Sequence, residues 1–142
     1  MQTRIVWISV LGGVLAAALI ARADGKKAKV DVSKLPPPAQ KQGVTYASDI
    51  KPIFDRSCVK CHGAEKPKAK LRLDSLEGAL KGSAEGKVIV PGDSAASELV
   101  HNIARLGDED HWMPPPDNKA GIPPLTTDEI ALIRAWIDQG AK

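Results

Sequence analysis

Apolar residues near the C-terminal end of the chain recur with a helical period. Ile130, Ile133, Trp136 and Ile137 fall on one stripe, the spacing of an amphipathic helix that buries a single face. Thr126 and Glu129 form a capping box ahead of that stripe, and Leu125 with Ile130 makes a hydrophobic staple. Gly140 sits where a C′ residue belongs. The pattern predicts a helix over 125–141, the clearest in the chain. A second helix is predicted over 45–57, where Ile50, Ile53 and Phe54 stand at i, i+3 and i+4. Asp49 serves as its N-cap and Pro52 lies in its first turn. Between these two the signals are shorter. Leu71-Arg72-Leu73-Asp74 alternates as a short strand does, and 75–81 reads as a helical turn stopped by Gly82. Val88-Ile89-Val90 is a brief buried run closed by the turn Pro91-Gly92-Asp93. A further helix, capped by Asp93 or Ser94, is expected to run to Arg105 with Leu99, Ile103 and Leu106 on one face.

The start of the chain has a different character. Residues 1–23 read as an export signal: Arg4, then the uncharged and largely apolar run 5–20, then small residues at Ala21 and Ala23. That run is short for a membrane span, which takes about 20 residues. Cleavage before Asp24 is therefore expected, with an uncleaved membrane anchor as the alternative. Residues 24–43 are rich in Lys, contain Pro36-Pro37-Pro38 and show no apolar period. They read as an extended, mobile linker. The folded domain is then 44–142.

Composition narrows the function classes. The net charge of the chain is +3, but much of the basic charge lies in the leader and the linker. From residue 42 onward 15 acidic residues outnumber 13 basic ones, and no basic stripe supports nucleic-acid binding. Aromatic residues make up only 4% of the chain, thin for the core of a domain of about a hundred residues. A covalently held porphyrin would add the missing apolar mass.

Candidate chemistry centres on Cys58-Val59-Lys60-Cys61-His62. Cys-x-x-Cys-His is the attachment signature of a c-type haem. Two thiols three residues apart lie on one side of a tight helical turn, where each can reach a vinyl group of one porphyrin. His62 is then carried under the ring as the proximal iron ligand. The rival readings are a disulfide, a zinc site and a thioredoxin-like redox pair. Zinc lacks ligands here, since beyond this motif only His101 and His111 remain. A redox pair belongs beside a strand-helix-strand pattern, and none is visible.

The second chemical stretch is His111-Trp112-Met113-Pro114-Pro115-Pro116. Met113 is the only methionine apart from Met1. Its thioether is a soft ligand for haem iron, and paired with His it raises the reduction potential. The prolines behind it stiffen the loop. His111 is the rival distal ligand, and His101 reads as an ordinary helical histidine.

Taken in order, several segments resemble the planctomycete-type cytochrome c domain, a branch of the class I-like c-type cytochromes. They are Asp49-Ile50-Lys51-Pro52-Ile53-Phe54, the haem motif with Gly63, Leu71-Arg72-Leu73-Asp74-Ser75, Ala79-Leu80-Lys81-Gly82 and Val90-Pro91-Gly92-Asp93-Ser94. Met113-Pro114-Pro115, Leu125-Thr126, Glu129-Ile130, Trp136-Ile137 and Gly140-Ala141 complete the series. The resemblance implies a small all-α domain whose N- and C-terminal helices cross near one covalent haem c. By position it implies thioethers at Cys58 and Cys61, proximal His62 and distal Met113. The expected function is that of a monohaem electron carrier exchanging electrons with redox proteins, periplasmic or tethered to the membrane. The alternative is a haem-based sensor or catalytic accessory module with a labile sixth ligand. No acid–base pair or activated nucleophile is arranged for catalysis, so enzyme activity is not expected.

Overall fold

Among the described residues five α-helices follow one another: α1 (Lys51–Ser57), α2 (Val59–His62), α3 (Leu76–Lys81), α4 (Glu98–Ile103) and α5 (Thr127–Asp138). The computed structural model describes residues 30–142. The leader expected at 1–23 and the first residues of the linker lie outside the described residues. No strand forms among the described residues, where an isolated bridge pairs Ser83 with Gly86. The fold is all-α.

α5 forms where its pattern predicts it. The Thr126 hydroxyl accepts from the Glu129 amide while the Glu129 carboxylate accepts from the Thr126 amide. A cap of this kind contributes about 1 kcal/mol. The helix ends at Asp138, earlier than expected, because the Ala141 amide turns back to the Trp136 carbonyl (3.0 Å) and the Gly140 amide to that of Ile137 (2.9 Å). Gly140 adopts φ 99° there, the left-handed geometry of a Schellman close. Ile133, Trp136 and Ile137 are fully buried on the inner face.

The first helical stretch differs in detail from its expectation. It starts within the expected range, but its cap is Thr45, not Asp49: the Thr45 side chain accepts from the Ser48 amide, and Asp49 reaches back to accept from the Thr45 amide. Its first turn, Tyr46–Ile50, is a π-helix. Pro52 explains the widening, because it has no N–H for the Ser48 carbonyl and its ring crowds that carbonyl. The Lys51 amide bonds instead to the Tyr46 carbonyl, five residues back, and α1 then continues to Ser57. Phe54 of α1 and Tyr46 of the π turn meet Trp136 of α5, with ring centres 6.0–6.2 Å apart. Trp136 Nε1 donates to the Lys142 carbonyl at 3.0 Å.

The intervening segments are more irregular than the pattern suggested. Residues 71–74 are not a strand. Leu71 and Leu73 are buried as the alternation implies, yet their backbone lies alongside loops: the Leu73 amide donates to the His62 carbonyl (2.7 Å) and the Leu73 carbonyl accepts from the Tyr46 hydroxyl (2.9 Å). α3 stops at Gly82 as expected, and Ser75 caps it by accepting from the Gly78 amide. Val88 and Ile89 are buried but Val90 is exposed. α4 is shorter than expected and follows Ser97. Asp93 accepts from the Ala96 amide within the preceding turn, and Ser94 hydrogen-bonds to Asp138 of α5.

Of the expected mobile linker 24–43, the described residues 30–43 contain one short 3-10 turn, Val32–Lys34, and are fastened along α5. The Ala39 amide donates to the Ala131 carbonyl (2.9 Å), Arg134 donates to the Pro36 carbonyl, and the Gln139 amide group donates to the Lys41 carbonyl (2.8 Å). Leu35 is buried. A sequence without apolar period can still be held by backbone bonds to a neighbouring helix, because those bonds need no side-chain pattern.

Two outcomes test this packing by denaturant midpoint. Trp136→Ala should lose about 3–5 kcal/mol, the cost of emptying a buried indole site. Gly63→Ala should lose about 1–3 kcal/mol, because an added Cβ would stand 2.7 Å from the Val59 carbonyl oxygen; a neutral result would show that the α2 turn can relax.

Candidate functional site

α1 stops at Ser57 because Cys58 leaves the helical region (φ −126°, ψ −41°) and starts a fresh turn. The Cys61 and His62 amides both close on the Cys58 carbonyl, at 3.1 and 2.9 Å. This is the tight turn that the motif spacing predicts. Gly63 lies against the Val59 carbonyl with no room for a side chain, and that closeness, not a left-handed φ, is why glycine belongs there. The chain then turns away, and the His62 carbonyl is held by the Leu73 amide.

The turn faces a large open-sided cavity containing about 970 Å³ of non-atom space, part of it open solvent. Cys58, Cys61 and His62 line one part of it, and His111, Met113, Pro114 and Pro115 line another. Most of the remaining wall is apolar, with Leu71, Leu73, Val88, Leu99, Ile103 and Leu125 among the lining residues. Largely apolar walls with a few converging donors are the pattern of a cofactor site. The structure thus brings the four sequence-predicted site residues together with His111. It does not bring His101, whose Nε2 lies 2.7 Å from the Ala95 carbonyl. Trp136 packs on the aromatic cluster and is absent from the cavity wall.

The electrostatics separate the rival readings. Cys58 and Cys61 are not joined by a disulfide. Burial pushes the Cys58 thiol up to about 12; the Arg56 cation opposes this and Cys61 adds to it. A redox-active Cys-x-x-Cys pair relies on the opposite, a thiol whose pKa is lowered. Among the described residues, no group of three or more His, Cys, Asp or Glu side chains is placed to hold a metal ion. Burial also lowers the His62 pKa, against backbone contacts at Leu71 and Lys68 that raise it. The imidazole is therefore neutral at pH 7, the form that ligates metals.

A porphyrin iron fits this donor set. His62 Nδ1 is buried and has no hydrogen-bond partner in the protein, an arrangement that costs free energy unless the ring is engaged otherwise. Two thiols and a neutral imidazole on one turn, facing a largely apolar cavity, fit the covalent attachment of haem c, and a thioether lies on the same wall.

Sequence reasoning missed the residues that hold the methionine loop. The Met113 amide donates to the Asn102 carbonyl at 2.9 Å. Arg105 donates to the Pro114 carbonyl at 3.1 Å, and its Cζ lies 5.8 Å from the Trp112 ring centre. Asn118 braces the far side of the loop, donating to the Pro115 (2.8 Å) and Ile122 (3.0 Å) carbonyls and accepting from the Ile122 amide (2.8 Å). An Asn among prolines and a glycine is a signal for such a turn. Nothing in the sequence pairs Arg105 with a loop seven to nine residues later.

Comparison with known proteins agrees with the geometry. Residues 58–117 match the family model described as planctomycete cytochrome C. Searches of curated proteins and of solved structures returned no match. The matched stretch holds both cysteines, His62, the cavity loops and Met113, while α1 and α5 lie outside it. The likeness to a planctomycete cytochrome C domain thus covers the segment 58–117.

Proposed function

We propose that this protein is a monohaem c-type cytochrome that carries single electrons between redox proteins. The observation that carries the proposal is the convergence of Cys58, Cys61, His62 and Met113 on one largely apolar cavity. Cys58 and Cys61 would hold the porphyrin as thioethers, with His62 the proximal donor and Met113 the distal one. Haem bound there supplies a reversible one-electron iron couple.

The chain's own residues do the rest. The α2 turn fixes Cys58, Cys61 and His62 relative to one another, so the two attachment points and the imidazole move as one body. Leu71, Leu73, Leu99 and Ile103 keep the cavity wall apolar, which together with a thioether donor favours the reduced, less charged state. A loop held at Asn102, Arg105 and Asn118 keeps Met113 at the wall with little rearrangement. Small rearrangement suits electron transfer better than bond chemistry. The leader read at 1–23 and the covalent attachment motif support export, with the domain acting in the periplasm. Among the described residues no helix is long and apolar enough to cross a membrane.

Two measurements test the proposal on protein from a host that matures c-type cytochromes. Extraction with acidic organic solvent should leave a tetrapyrrole mass on the polypeptide, and a colourless chain would reject the cofactor. Met113→Ala should lower the reduction potential and remove the weak far-red band of the oxidised protein. An unchanged spectrum would reject Met113, and rapid carbon monoxide binding to the reduced native protein would favour the sensor reading.

A further inference from the structure

Arg105 has a φ of 55°, the left-handed conformation for which glycine is the usual choice after a helix. Its backbone closes α4: the Leu106 amide bonds to the His101 carbonyl at 3.0 Å and the Arg105 amide to the Asn102 carbonyl at 3.2 Å. Glycine would close the helix with less strain. The arginine therefore serves something other than the turn, and its contacts show what. Its guanidinium donates to the Pro114 carbonyl and lies over the Trp112 ring. Trp112 and Pro114 are the two neighbours of Met113, whose own amide is bonded to Asn102. Three consecutive loop residues are thus fastened to the end of α4, two of them through Arg105.

The fastening starts one residue after a competitor. His111 lines the same cavity as Met113, but it belongs to the exposed turn Glu109–His111, whose backbone bonds run locally, from the His111 amide to the Asp108 carbonyl. Two iron donors of different chemistry, a soft thioether and an imidazole, are therefore carried on one short segment. The bonds to α4 hold the sulfur-bearing residue and its neighbours.

We infer that Arg105 is a positioning residue that selects Met113 over His111 as the distal donor, an inference that rests on the haem reading above. A planar guanidinium is needed, because only it can stack on an indole while its edge donates to a carbonyl. Without it Trp112 and Pro114 lose their hold, the loop gains freedom, and the imidazole can take the position.

The experiment uses the full-length holoprotein. Arg105→Ala should lose most of the far-red sulfur–iron band at unchanged haem content, and electron paramagnetic resonance should report two nitrogen axial ligands. Adding His111→Ala to that variant should open the site, so that carbon monoxide binds the reduced form at least tenfold faster. Arg105→Gln, which keeps a donor for Pro114 but cannot stack as well, should retain an intermediate band. If Arg105→Ala does not accumulate, Arg105→Gln decides by the same band. Wild-type band intensity in the variants would overturn the inference, and so would a Met-free Arg105→Ala protein without nitrogen ligation. A wild-type holoprotein that itself lacks the far-red band would overturn Met113 ligation first, and the selection with it.

Discussion

Contact among Tyr46, Phe54 and Trp136 is the interaction on which the remaining structure depends. These rings join the first helical stretch to α5, and they include three of the five aromatic residues in the chain. Burying large rings where two helices meet contributes more than any other packing available to so aromatic-poor a sequence. Once those two ends are joined, the segments between them need not form long helices. They are short turns and loops, and their apolar side chains are free to face the cavity. The rings and the cavity are therefore two parts of one arrangement: rigid closure at one place permits an open, irregular wall at another.

Legibility in the sequence followed how local each signal was. The α5 stripe, its Thr126–Glu129 box and the Gly140 close depend on residues within one or two turns of each other, and the structure matches them closely. The same is true of Ser75 and Gly82 around α3, and of the Cys58–His62 turn. Expectations failed where a distant partner decided the outcome. Leu71 and Leu73 alternate as a strand would, but the neighbours that bond Leu73 are His62 and Tyr46, so no ladder forms. Asp49 looked like a cap, but Thr45 holds that position and a widened turn, Tyr46–Ile50, stands between it and Pro52. The stretch 30–43 carries no apolar period, and its attachment to α5 runs mainly through backbone carbonyls and amides that a periodicity reading does not register.

The candidate site divides along the same line. Its candidate residues were visible because each is a rare residue type in a distinctive setting: two cysteines with an adjacent histidine, and a methionine before three prolines. What orients them was not. Arg105 reads as one more basic residue at a helix end, and only the folded chain sets its guanidinium against Trp112 and Pro114. Burial is also a product of the fold, and it is burial that raises the Cys58 thiol and lowers the His62 imidazole.

The extended stretch along α5 has a mechanical consequence. A pull applied to the chain at residue 30 is taken up by the bonds at Pro36, Ala39 and Lys41, whose partners all lie on or just beyond α5. None of those partners belongs to the cavity wall. Load arriving from the N-terminal side is thus carried into the longest helix among the described residues and bypasses the loops that line the cavity.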